Sequence, residues 1–198
     1  MTPTFGLVLA GGSSRRMRTD KAALAYGSRP QLAQAYDLLA RHVERAFVSV
    51  RSDQAGEALR ARYPQVVDGP VGHGPIAGII AAQARHPDVA WLVLACDLPF
   101  LDDATLAALL ARRDPSRLAT AFTSRHDDLP EPLCAIYEPA SLEAILGHVA
   151  SGRSCPRKFL LEHDVLLLEP ATPLALDNAN TPEEAAAARA GLAARGAA

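Results

Sequence analysis

Cysteine is scarce in this chain, charge is nearly balanced and no apolar run is long; each shortage removes a class of protein. The three cysteines, Cys96, Cys134 and Cys155, stand far apart and never form a C-x-x-C pair. Structural zinc sites and disulfide frameworks need closer or more numerous spacings, so neither is expected. Cys96 and Cys134 read as small buried hydrophobes. Cys155, in the polar stretch GRSCPRK, reads as exposed, with basic neighbours able to lower its pKa. No apolar run reaches the roughly 20 residues of a membrane-spanning helix, and the opening MTPTF has no charged segment followed by an apolar one. A cytoplasmic protein without a membrane partner is the expectation. The formal net charge of −2 lacks the basic excess that non-specific nucleic-acid binding needs, so no nucleic-acid partner is expected either. The histidines lack an H-x-x-x-H spacing, which removes them as a metal pair.

What is present fits one enzyme-sized domain. A chain of 198 residues, 49% of them hydrophobic, can bury a substantial core, and a single domain over 1–198 is expected. Short apolar runs alternate with segments of helical period, the habit of a predominantly parallel sheet covered on both faces. Strands are expected at 5–10, 46–50, 66–67, 89–95, 118–122, 133–137 and 165–168. Helices are expected at 31–43, 54–62, 76–86, 104–113, 139–149, 156–163 and 182–194. The run VAWLVLA at 89–95 is apolar without alternation, which puts it in the middle of the sheet.

The segment FGLVLAGGSSRRMRTDK, from Phe5 to Lys21, carries the most information. A buried strand breaks at Gly11-Gly12 into a loop with Ser13, Ser14, Arg15, Arg16 and Arg18, and ends in Asp20-Lys21. Paired glycines let backbone N–H groups approach a phosphate, and the cations neutralise several negative charges. The spacing is neither the G-x-x-x-x-G-K-[ST] of a P-loop nor the G-x-G-x-x-G of a dinucleotide fold. A nucleoside triphosphate is nonetheless the natural guest.

In open α/β sheets ligands bind beyond the carboxyl ends of the strands, and Gly11-Gly12, Asp68 and Asp97 all follow such ends, so one shared crevice is expected. Asp97 closes a continuous apolar strand, where an unpaired carboxylate is expensive to bury but well suited to Mg²⁺, a hard ion that keeps several waters. Capping the next helix is the competing role, and Asp102 or Asp103 fills it better. Asp68 either contacts a nucleotide or begins an Asp-Gly-Pro turn. Asn178 and Asn180 alternate on an extended segment and so face the same way, whereas Thr181-Pro182 is a helix start in its own right. Gly72-His73-Gly74-Pro75 reads equally as a rim over substrate or a plain helix start. Arg153, Arg157 and Lys158 read as solvated surface or, alternatively, as an anion site.

LAGGSSRRMRTDKA resembles the signature loop of the molybdenum cofactor guanylyltransferases, and the likeness continues through GPIAGI at 74–79, LACDLPFL at 94–101, EPLCAIY at 131–137 and NANTPEE at 178–184. The resemblance implies a three-layer α/β/α Rossmann-like nucleotidyltransferase fold, with a nucleotide-binding N-terminal half and an acceptor-binding C-terminal half. By that likeness Leu9, Ala10 and Gly11 contact guanine and ribose through backbone, with Gly12 beside them. Arg15 and Lys21 hold the triphosphate, Asp97 binds the metal, Asp68 serves the nucleotide, and Asn178 and Asn180 recognise molybdopterin. The implied activity is Mg²⁺-dependent transfer of GMP from GTP to the terminal phosphate of molybdopterin, with Arg15, Lys21 and Asp97 as catalytic candidates. Molybdoenzymes or their chaperones are the implied protein partners. Two departures stand out: Arg18 where the family usually has glycine, and Glu131 where many members carry histidine. Cytidylyl or sugar-phosphate transfer, and a nucleotide-binding module without turnover, remain open as rival readings.

Overall fold

The computed structural model describes residues 2–11, 20–25, 29–179 and 181–196. These form seven strands, β1 (Thr4–Leu9), β2 (Arg45–Val50), β3 (Gln65–Val67), β4 (Ala90–Ala95), β5 (Ala119–Thr123), β6 (Pro130–Tyr137) and β7 (Val165–Leu168). Six α-helices accompany them: α1 (Gln31–Ala40), α2 (Pro75–Arg85), α3 (Asp103–Ala111), α4 (Ser141–Ala150), α5 (Pro156–Glu162) and α6 (Pro182–Gly196). The strands form one sheet in the order β3-β2-β1-β4-β6-β5-β7. Neighbours are parallel except where β6 pairs with β4 and β5, so β6 alone among the described strands runs backwards.

Side-chain alternation divides the core into two layers, because successive residues of a strand face opposite sides of the sheet. Val8, Val48, Leu92, Leu94 and Ile136 pack with Leu32, Leu39, Leu106 and Leu109 of α1 and α3. Leu7, Phe47, Trp91, Val93 and Tyr137 pack with Ile76, Ile79, Ile145 and Phe159 of α2, α4 and α5. The β4 run is buried at every position, as a central strand covered on both faces requires. Helix starts follow local chemistry. Asp102 accepts from the Thr105 N–H at 2.8 Å, and Thr181 and Glu184 exchange reciprocal side-chain bonds at 3.1 and 3.2 Å ahead of α6. Asp97 is therefore not needed as the cap of α3.

Local sequence misleads at 54–62. That segment holds 3-10 turns at Ser52–Gln54 and Arg60–Arg62 instead of a helix, with Gly56 between them. Glycine lowers helix stability here, and Arg60 turns inward to satisfy distant groups, which a solvent-facing helical position would not permit. Among the described residues no helix is long and apolar enough to cross a membrane.

Candidate functional site

The sheet reverses order at β1, which is flanked by β2 on one side and β4 on the other, and Leu9 pairs with Ala95 at the carboxyl ends. Such a switch point opens a crevice just beyond the strands. Ala10 and Gly11 therefore come out beside Cys96 and Asp97. Lys21 meets Asp97 across this crevice, Nζ to Oδ2 at 2.6 Å, with side-chain exposures of 19% and 15%. Residues 76 apart in sequence thus form a half-buried ion pair at the strand ends. Asp68 joins from β3: its N–H donates to the Val50 carbonyl at 2.8 Å and its Oδ1 accepts from the Ser49 hydroxyl at 2.6 Å. Burial pushes the Asp68 carboxyl above its ordinary value, against the opposing Ser49 bond and Arg51 charge. Helix α2 can come this close because residue 78 is glycine; a Cβ there would sit 2.4 Å from Ser49 Oγ. The expected crevice thus brings together Gly11, Lys21, Asp68 and Asp97.

The other half arrives through two long-range links. The Ala179 N–H donates to the Asp97 carbonyl at 3.2 Å, tying the Asn178 segment to the strand end, with Asn178 itself exposed. On β6, Leu94 pairs with Cys134 in antiparallel register, and continuing that register sets Glu131 beside Asp97. Burial raises the Glu131 carboxyl above its usual range; the Arg157 charge opposes this, while Asp127 and Asp97 add to it. Arg157 bridges Glu131 at 3.1 Å and Asp127 at 3.0 Å. Arg153 turns instead to Glu162 and to Ser151. His73 is exposed on the turn before α2, between Gly72 and Gly74 at φ of 81° and 64°. Gly12, Arg15 and Asn180, with Ser13, Ser14, Arg16 and Arg18, lie outside the described residues.

Three participants gave no signal in the sequence reading. Arg60 donates to the Ala10 carbonyl, Arg51 donates to the Gly11 carbonyl at 2.7 Å, and Ser49 holds Asp68. The backbone of Ala10 is thereby fully engaged, since its N–H also donates to Ser49 O at 3.1 Å. Cys96 lies beside the pair, but burial pushes its thiol up to about 12, so it stays an inert neutral group. Cys155 is exposed, as its polar surroundings suggest.

Solved structures show the same fold as this seven-stranded mixed sheet, and the family of nucleotidyltransferases follows from the sequence. The chain superposes on molybdopterin-guanine dinucleotide biosynthesis protein A from Archaeoglobus fulgidus with a TM-score of 0.80, covering 96% of this chain and 98% of that one at 22% identity. Rv0371c from Mycobacterium tuberculosis, solved in complex with manganese, superposes at 0.68 over 96% and 98% of the two chains, with 20% identity. Residues 6–167 match the MobA-like NTP transferase domain family, and the chain belongs to that family. It is 36% identical over 183 residues to a molybdenum cofactor biosynthesis bifunctional protein of Synechocystis, covering 92% of this chain but only 53%, about half, of that protein. A molybdenum cofactor guanylyltransferase of Pseudomonas fluorescens is 33% identical over 91% of each chain.

Proposed function

We propose that the protein transfers GMP from GTP to the terminal phosphate of molybdopterin, releasing pyrophosphate and giving molybdopterin guanine dinucleotide. The observation that carries this reading is the Lys21–Asp97 pair at the switch point, in a chain whose full-length relative is named a guanylyltransferase. An oxygen of the acceptor phosphate attacks the α-phosphorus of GTP, and the bond from that phosphorus to the bridging β-oxygen breaks. Its electron pair leaves with pyrophosphate. The attacking monoester is largely dianionic at neutral pH, so no general base is required, and catalysis rests on positioning and neutralisation of charge. Lys21 supplies one cation to the triphosphate, alongside the Arg15 expected from the sequence. Asp97 is a carboxylate that already holds a cation, which fits the hard-oxygen preference of Mg²⁺. Among the described residues no three His, Cys, Asp or Glu side chains could hold a metal together, so Asp97 would share the ion with phosphate oxygens and water, as Mg²⁺ commonly does. Bound there, the ion supplies further charge neutralisation to the phosphates.

The choice of guanine over cytosine rests on the relatives named molybdenum cofactor guanylyltransferase. Labour divides along the chain: β1 to β4 serve the nucleotide with Leu9, Gly11, Gly12 and Asp68, while Ala10, whose backbone N–H and carbonyl are already bound to Ser49 and Arg60, holds the loop in place rather than contacting the nucleotide through those groups. Residues from β5 onward serve the acceptor with Asn178 and Asn180. The setting would be the cytoplasm. Incubating purified protein with GTP, Mg²⁺ and molybdopterin should yield pyrophosphate and dinucleotide in equal amounts. Turnover with CTP in preference to GTP would move the reading to cytidylyl transfer, and no product with any nucleotide would remove it.

A further inference from the structure

Arg60 is 1% exposed, and it is a charge the hydrophobic core does not need. Each of its five N–H donors is matched: Nε and one Nη2 hydrogen reach the Ala10 carbonyl at 3.1 and 2.7 Å, the second Nη2 hydrogen reaches Asp20 Oδ1 at 2.9 Å, and Nη1 reaches Asp20 Oδ2 at 2.7 Å and Glu57. One buried guanidinium therefore fixes the chain just after β1 and the chain just before Lys21. The effect continues beyond Asp20, whose Oδ1 also caps the turn Lys21–Ala23 by accepting from the Ala22 N–H at 3.1 Å. Burial alone would raise the Asp20 carboxyl, but the Arg60 bonds and charge outweigh it and hold the carboxyl below its ordinary value. A continuous chain of contacts runs from Ala10 through Arg60 and Asp20 to Lys21 and Asp97.

Burying a guanidinium is unfavourable unless every donor is met, and a well-packed apolar side chain often stabilises a fold as well or better. Here four of the five donor contacts converge on Ala10 and Asp20, two points flanking the nucleotide-binding candidates, and the remaining one goes to the neighbouring Glu57. We infer that Arg60 is a positioning residue for nucleotide transfer: it holds Ala10 and Asp20 in one frame, so that Lys21 stands opposite Asp97 before the nucleotide arrives. The inference rests on the nucleotidyltransferase reading but not on the identity of the acceptor. Arg60→Lys keeps the charge yet cannot span both anchors, because an ammonium lacks the planar fork.

The test is a double-mutant cycle on GTP affinity, measured by isothermal titration with Mg²⁺, for Arg60→Met and Lys21→Ala singly and together. Circular dichroism and thermal melts would establish that each variant is folded. Asp20→Asn and Arg60→Lys take the place of Arg60→Met should the latter not fold. Disturbing Arg60 or Asp20 should weaken GTP binding about 10- to 100-fold, the range for outer-shell partners, and do so only while Lys21 is present. Equal weakening with and without Lys21 would mark a purely structural role and overturn the inference, as would a variant binding GTP within about twofold of the parent. A parent that binds GTP but forms no dinucleotide sinks the molybdopterin reading and leaves Arg60 standing; a parent that binds no nucleotide sinks both.

Discussion

Gly78→Ala sets two opposing effects against each other at a single position. Residue 78 lies inside α2, where replacing glycine by alanine ordinarily stabilises a helix by about 1 kcal/mol. The added Cβ, however, would sit 2.4 Å from Ser49 Oγ, 2.9 Å from Leu9 Cδ2 and 3.2 Å from Asp68 Oδ1. Ser49 is 2% exposed and cannot swing into solvent, so either α2 lifts off the sheet or the 2.6 Å Ser49–Asp68 bond breaks. Overpacking of this kind costs about 1–3 kcal/mol, and losing a hydrogen bond to a charged partner roughly 1.5–3 kcal/mol. With either cost set against the helix gain, the net destabilisation is about 1 kcal/mol, which for a chain of this size lowers the melting temperature by roughly 2–4 °C. GTP affinity should fall with it, because Asp68 is displaced. Calorimetry and GTP titration read both effects, and adding Ser49→Ala should return part of the lost stability by removing the Oγ. A Gly78→Ala protein that melts at or above the parent's temperature would show that helix propensity outweighs the contact, and would refute the close packing of α2 on the site.

Two further outcomes follow from other parts of the molecule. Asp97→Asn keeps the shape of the side chain but removes the charge facing Lys21; turnover should fall about 10²- to 10³-fold while GTP still binds without metal, and unchanged turnover would remove the metal role of Asp97. His148 has a fully buried side chain with Nδ1 3.4 Å from Glu162, and burial with the Arg153 charge holds its imidazole below the ordinary value against the pull of Glu162. The unfolded chain therefore takes up a proton at higher pH than the folded one. The stability tied to the neutral ring is complete above about pH 6.5 and drains away as the pH drops below it. Melting temperature should fall on acidification through that window and fall less in His148→Leu; identical pH slopes in the two proteins would refute this.

Much of the fold could be read from runs and periods. The strand at 89–95 appears as Ala90–Ala95, and the helix after Pro30 as Gln31–Ala40, since burial on one or two faces writes itself directly into local hydrophobicity. Strand direction is not written there. β6 begins at Pro130 and runs backwards, because its direction is set by its pairing with β4, while its own apolar pattern reads the same both ways. The site divides similarly. Asp68 and Asp97 are conspicuous because charges at the ends of apolar strands need a reason, and Lys21 because it closes the glycine-arginine stretch. Arg60 and Arg51 escape because their reason lies elsewhere: their targets, Ala10 and Gly11, are backbone carbonyls fifty and forty residues away. The only local hint at Arg60 is a charged residue between Leu59 and Ala61, and such a residue usually faces water.

The reversal of β6 decides which residues of the later half reach the strand ends beside Asp97. In an all-parallel sheet the crevice is bordered by strand ends alone, and the residues that start strands lie at the far edge. A backward strand next to β4 delivers the beginning of β6 to the crevice, so Glu131 arrives beside Asp97 while bonded through Arg157 to α5 and to Asp127. The Ala179 bond to the Asp97 carbonyl brings the Asn178 segment to the same spot. Asp97 is thus the residue on which both halves of the chain converge: Lys21 reaches its carboxylate, and the later half reaches its carbonyl and its flank. A charge at position 131 is therefore felt at Asp97, whose own charge helps raise the Glu131 carboxyl.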